Sequence, residues 1–309
     1  MAQPNPVLHA RALLLATVRA WFAEQGFVEA DVGALASSPG AEVHTSAFQA
    51  RTGPAHPDQK GDALYLHTSP EFAMKRFLAA GEEKIFFLGK VYRAGEVGPL
   101  HAQEFTMLEW YRSGASYEAV MRDALAIVVR IAEAAGAKGF QWKGRTCDPF
   151  GPVERLTVRD AFARYANSPP PDDPDAFAEA LVAAVEPHLG GPGLTLLHEY
   201  PLSEAALARP CPHDPSVAER FELYAAGVEL ANGYGELTDP VEQRRRLEAA
   251  MADKKRRYGE AWPLDEAFLK SLSQMPPASG CALGFDRLVM LALQAPSLRH
   301  VLWTPPQEP

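Results

Sequence analysis

The sequence predicts an α+β fold in which helices flank an antiparallel β-sheet. Two observations carry that expectation. Strand-like runs occur as strand–loop–strand hairpins separated by helices, without regular βαβ alternation. Neither a Walker A motif nor a GxGxxG occurs, so a P-loop or Rossmann nucleotide site is unsupported. With 309 residues, 47% hydrophobic and 22% charged, the chain can bury a substantial core.

In chain order, the first element is an amphipathic helix from Val7 to about Gln25, with Leu8, Ala12, Leu15, Val18 and Phe22 on one face and Gly26 as its stop. A short strand through Phe27–Asp31 follows. The punctuated stretch Ser37–Gly61 is expected to hold one strand near Ala47. A strand at Leu64–His67 then leads to a helix with Ser69 as N-cap, Pro70 in the first helical position and Gly81 at its end.

Lys84–Arg93 and Glu104–Arg112 read as paired strands. Alternation puts Phe105, Met107, Glu109 and Tyr111 on one face of the second, a mixture that suits a pocket wall better than a dry core. Tyr117–Ala135 is a long helix. From Lys138 to Pro192 the texture is irregular, with a loop at Pro169–Pro174. Strands return at Leu194–Tyr200 and around Phe221–Leu230, and helices at Pro240–Arg257 and Leu264–Gln274. A strand at Ser279–Leu283 runs into a final helix from Asp286 to Leu293.

The net charge of −9 argues against broad phosphate-backbone binding, which needs clustered Lys and Arg. Cys147, Cys211 and Cys281 form no CxxC pair and are expected as reduced thiols. Cys211-Pro212-His213 lacks a second ligand pair at zinc spacing and is not read as a metal site. Leu13, Leu14 and Leu15 are too short a run for a signal peptide, and no apolar run approaches the roughly 20 residues that cross a bilayer. A soluble, cytoplasmic protein is expected.

Three segments carry chemistry. In Val91-Tyr92-Arg93 through His101 to Phe105, a strand-end arginine can bridge a phosphate and an aromatic can stack on a purine. Glu222, Glu229 and Glu236 stand seven residues apart, with Gly227, Gly233 and Gly235 favouring a bent hairpin that turns carboxylates inward. Such carboxylates suit Mg²⁺ or the ammonium of a cationic substrate. In Gly280-Cys281-Ala282-Leu283-Gly284-Phe285-Asp286-Arg287, small residues mark a close approach to the strand backbone. Arg287 in a first helical turn, where a cation is disfavoured, points to an anion supplied from outside.

Together these segments resemble the class II aminoacyl-tRNA synthetases, the last matching their motif 3 and Arg93–Phe105 their motif 2. Thr68-Ser69-Pro70-Glu71, Met74-Lys75-Arg76 and Glu104-Phe105-Thr106-Met107-Leu108-Glu109-Trp110-Tyr111-Arg112 are similar to the lysyl-tRNA synthetase branch. So are Glu229-Leu230-Ala231-Asn232-Gly233, Glu236-Leu237-Thr238-Asp239 and Asp286-Arg287-Leu288-Val289-Met290. Within that branch the chain resembles the short paralogues of the elongation factor P–(R)-β-lysine ligase family, from the first helix to about Ala295.

The resemblance implies a single class II catalytic domain over residues 1–309. Arg93 would bind the ATP α-phosphate, His101 and Arg287 the γ-phosphate end, and Phe105 the adenine ring, with Gly284 making room. Arg93, Glu229 and Arg287 would be catalytic, and Glu222 and Glu229 would hold Mg²⁺. Ser69, Pro70, Glu71, Tyr111, Asn232 and Glu236 would line the amino-acid pocket, Glu236 facing the side-chain ammonium.

Two positions depart from the family pattern. Its motif 2 reads Arg-x-Glu, whereas here Arg93-Ala94-Gly95 precedes Glu96. Either Glu96 reaches back to adenine or backbone groups read it. Gly33 stands near the motif 1 proline of the dimer interface, where a homodimer is implied. The chain starts almost at the core's first helix, leaving no room for an anticodon-binding barrel. The expected partners are therefore lysine or (R)-β-lysine and elongation factor P rather than tRNA. The alternatives are another acceptor for the same adenylate, tRNA or a small molecule, and a non-catalytic binding module derived from a synthetase.

Overall fold

The computed structural model describes residues 5–51, 63–205 and 207–305. Helix α1 (Pro6–Glu24) leads into strand β1 (Val28–Glu29). Strands β2 (Leu35–Ala36), β3 (Gln49–Ala50) and β4 (Leu64–Leu66) form a small sheet. Helix α2 (Glu71–Ala79), the hairpin β5 (Lys84–Tyr92) and β6 (Glu104–Ser113), and helix α3 (Tyr117–Ala135) follow. Next come the hairpin β7 (Phe140–Trp142) and β8 (Arg145–Cys147), strand β9 (Glu154–Thr157), and helices α4 (Val158–Ala161) and α5 (Pro174–Ala180). Strands β10 (Thr195–Pro201), β11 (Val217–Ala225) and β12 (Val228–Gly235) precede helices α6 (Pro240–Tyr258) and α7 (Glu266–Ser271). Strand β13 (Ala278–Gly284) and helix α8 (Phe285–Ala292) complete the fold.

The main sheet has the order β1-β5-β6-β13-β12-β11-β10-β9. It is antiparallel through its centre, as expected. Both edges differ: β1 runs parallel to β5, and β9 parallel to β10. Each edge strand reaches its partner through an intervening helical segment instead of a hairpin, which is the connection that parallel pairing requires.

Alternation along β6 sorts the two faces. Leu108 and Trp110 pack with α1, α3 and α8 in the larger apolar core. Met107 and Tyr111 join the opposite cluster with residues of α2 and α7. The irregular segment after Lys138 builds a third small core from Leu156, Phe162, Phe177 and Tyr200.

The first helix presents Arg11, Leu14, Val18 and Phe22 inward; Leu15 is half-buried and Ala12 exposed, so the predicted stripe is rotated. Arg11 is the reason. Its guanidinium lies 2.5 Å from Asp286 of α8 and donates to Thr106 Oγ1 at 2.8 Å, fixing α1 against motif-bearing elements by a buried charge. The strand expected through Asp31 shortens to two residues. In the Ser37–Gly61 stretch the one expected strand is β3, a little beyond Ala47, while β2 precedes the stretch, and residues 52–61 lie outside the described residues. Pro70, not Ser69, is the N-cap of α2, while Ser69 Oγ still accepts from Glu71 N at 3.0 Å.

Candidate active site

One cleft on the α2 face of the sheet gathers Ser69, Glu71, Arg93, Glu96, His101, Phe105, Tyr111, Glu229, Asn232, Glu236, Gly284 and Arg287. Of the residues singled out from the sequence, Pro70 and Glu222 do not line it. Pro70 is buried at the start of α2 and turns the chain there. Glu222 is paired with Asn232 across β11–β12, on the same face of the sheet but one strand farther from the cleft. Glu109 lines the cleft as alternation along β6 predicts, and Glu42 and Tyr234 line it with no sign in the sequence.

At one end, Arg93 ends β5 with its guanidinium over the Phe105 ring, 5.3 Å from the ring centre. Its nearest carboxylates, Glu42 and Glu96, are both 3.9 Å away, and its buried Nε has no hydrogen-bond partner among the described residues. A buried guanidinium with an unsatisfied donor is costly unless an anion arrives. Arg287 turns back from α8, donating to Glu229 O at 2.9 Å and Leu100 O at 3.2 Å, with Nη2 3.0 Å from His101 Nε2. Burial, then Arg287 and Arg93, hold His101 below the usual imidazole range, so it is neutral near pH 7.

The turn after Arg93 accounts for Gly95. Its φ is +79°, a left-handed conformation that a glutamate side chain would strain. Its amide donates to Gln103 Oε1 at 2.9 Å. The acidic side chain one place later, Glu96, lines the cleft instead.

The other end is acidic and dry. Glu109 accepts from Ser69 Oγ at 2.8 Å and from Tyr111 OH at 2.7 Å. Lys75 of α2, fully buried, lies 2.5 Å from Glu71 and 2.6 Å from Glu236. Burial pushes the Glu236 carboxyl above the ordinary range while Lys75 pulls it back. Burial, then Glu71, pushes Glu109 up to about 8. Three glutamates therefore face one internal ammonium, leaving carboxylate capacity for a second, external one. Gly280 makes this geometry possible: a Cβ there would meet the Tyr111 ring at 2.3 Å and Glu236 Oε1 at 2.7 Å.

The donor set for a divalent cation lies between the two ends. Glu222 accepts from Arg220 Nη2 at 2.7 Å and Tyr224 OH at 2.6 Å. Burial first, and Glu222 second, raise the Glu229 carboxyl. Glu186 is pushed up to about 7 by burial and then by Glu222 and Glu229. Such crowded oxygen donors fit a hard cation that also takes phosphate oxygens. Among the described residues no group of three or more His, Cys, Asp or Glu forms a ready-made metal cage, and the three cysteines are free and buried. No described helix is long and apolar enough to cross a membrane.

A cleft with an anion-seeking arginine at one end and an acidic, ammonium-sized recess at the other, on an antiparallel sheet, defines an ATP-dependent amino-acid ligase. The family model for tRNA synthetases class II (D, K and N) matches residues 2–308, and the chain belongs to that family. It is similar to proteins named elongation factor P–(R)-β-lysine ligase from Salmonella gallinarum (strain 287/91 / NCTC 13346), Salmonella dublin and Salmonella enteritidis PT4 (strain P125109). Each is 37% identical over 308 residues, covering 96% of this chain and 94% of the relative.

Proposed function

We propose that this protein activates lysine or (R)-β-lysine as its adenylate with ATP and joins it to a lysine side chain of elongation factor P. One observation supports this above others: Arg93, whose buried Nε has no hydrogen-bond partner among the described residues, shares a single cleft with Glu71, Glu109 and Glu236. The names of the relatives agree with both the amino acid and the acceptor.

In this reading Arg93 holds the α-phosphate while the amino-acid carboxylate attacks it and the bond to pyrophosphate breaks. Fixed charge aimed at the reacting phosphoryl group supplies most of the catalysis. His101 and Arg287 hold the γ-phosphate end, Phe105 stacks on adenine beside Gly284, and Glu96 reaches the adenine amino group. Glu236 and Tyr111 take the side-chain ammonium, with Ser69, Glu71, Glu109 and Asn232 orienting the rest of the amino acid. Glu222 and Glu229 would hold Mg²⁺, which when bound neutralises phosphate charge.

Residues 1–309 act as one catalytic domain in a cytoplasmic homodimer. Transfer is tested by incubating the protein with ATP, (R)-β-lysine and elongation factor P and weighing the product. The expected gain is one lysyl residue on one lysine; an unchanged mass with (R)-β-lysine and with lysine would refute the acceptor.

A further inference from the structure

A second cavity opens beside α6 and shares five wall residues, Glu42, Ser69, Glu71, Asn232 and Tyr234, with the active-site cleft. We propose that this cavity is the path by which the acceptor's lysine side chain reaches the adenylate, an inference that rests on the function proposed above. The shared residues run along the amino-acid half of the cleft and up to Glu42, 3.9 Å from Arg93. The carbonyl of a bound adenylate lies between those groups. The nucleotide occupies the Arg93–Arg287 end, so a nucleophile needs another way in, and the cavity adjoins that point across the shared side chains.

Its charge suits an ammonium and not a phosphate. Six carboxylates line it against four arginines. Arg220 pairs with Glu222 at 2.7 Å, and within the wall Arg245 and Arg246 pair with Glu242 at 2.8 Å and Arg257 with Asp253 at 2.7 Å. Each arginine thus has a carboxylate partner, and the wall keeps a formal excess of two negative charges. Two buried acceptor atoms on the wall, Glu204 Oε1 and Asn232 Oδ1, have no hydrogen-bond partner among the described residues. Acceptors awaiting a donor along a channel match a passing –NH₃⁺.

The outer wall is built to stay put. Lys254 of α6, buried over the Trp262 ring at 4.2 Å, donates to Val43 O at 3.1 Å and Thr45 O at 2.6 Å. This ties the loop bearing Glu42 to the helix across the cavity. Thr45 Oγ1 donates to Glu42 at 2.5 Å and aims its carboxylate. In the transfer step the acceptor ammonium releases a proton to solvent through the cavity. Its nitrogen bonds the carbonyl carbon, the acyl C–O bond breaks with its electron pair going to AMP, and the nitrogen loses a second proton as the amide forms.

Ala250 lines only the second cavity and takes no part in activation. Ala250→Trp should leave amino-acid-dependent pyrophosphate exchange at the wild-type rate and lower modification of elongation factor P by roughly a hundredfold, the scale of a misplaced nucleophile. Normal exchange with wild-type modification would overturn the path. If exchange is lost as well, Ala249→Arg on the exposed side of the same wall decides: normal exchange with slow modification supports the path, and fast modification refutes it. Efficient charging of tRNA by the wild type, with no modification of elongation factor P, would also overturn it. Absence of exchange in the wild type would instead overturn the proposed activity.

Discussion

The two ends of the cleft solve the problem of buried charge differently. At the nucleotide end, Arg93 has a buried Nε without a hydrogen-bond partner among the described residues, and Glu42 and Glu96 approach its guanidinium only to 3.9 Å, which leaves donors for an arriving anion. At the amino-acid end, Lys75 supplies an internal ammonium to Glu71 and Glu236, so part of the recess's negative charge is balanced before any substrate arrives. The difference teaches that the first end gains from any phosphate, while the second selects its ligand by what remains after Lys75 is satisfied. Strong but undiscriminating attraction sits beside weaker, shaped recognition.

The comparison is broken most completely by Arg93→Ala, which should lower adenylate formation about a thousandfold, the upper range for losing one preorganised charge contact. Pyrophosphate exchange measures it, and an unchanged melting temperature shows that the fold is kept. Lys75→Met strikes the other end. It leaves buried Glu236 and half-buried Glu71 without their cation and should cost about 3 kcal/mol of stability, read by denaturant unfolding.

Gly280→Ala sharpens the contrast without removing charge. The added methyl group displaces Tyr111 or Glu236, so KM for the amino acid should rise roughly tenfold while KM for ATP stays put. The smallest effect is with pH. Because burial raises the Glu236 carboxyl, it is neutralised at a higher pH than an ordinary glutamate and loses its hold on an ammonium as pH falls. KM for the amino acid should therefore climb on acidification from pH 8 to pH 6, by a larger factor than KM for ATP.

How much of this was legible in the sequence follows the range of the interactions. Local signals were strong for α3, the β5–β6 hairpin and the β13–α8 turn, and the alternation of Phe105, Met107, Glu109 and Tyr111 already described a pocket wall. Lys75 carried a readable sign, four residues after Glu71 on a helix, but its second partner, Glu236, is distant in the chain. Glu42 carried none: it reaches the cleft because Lys254, more than two hundred residues away, secures its loop. The rotation of α1 has the same origin, since Arg11 is inward only because Asp286 waits for it. The sheet's parallel edges depend on tertiary pairing of strands as short as two residues, too short for periodicity to reveal.

Amino-acid-dependent ATP–pyrophosphate exchange tests the central claim most directly. The acidic recess predicts exchange with lysine or (R)-β-lysine and none with aspartate or asparagine, whose side chains bring no ammonium to Glu236. Exchange supported by aspartate or asparagine, or absent with both lysine and (R)-β-lysine, would contradict the account.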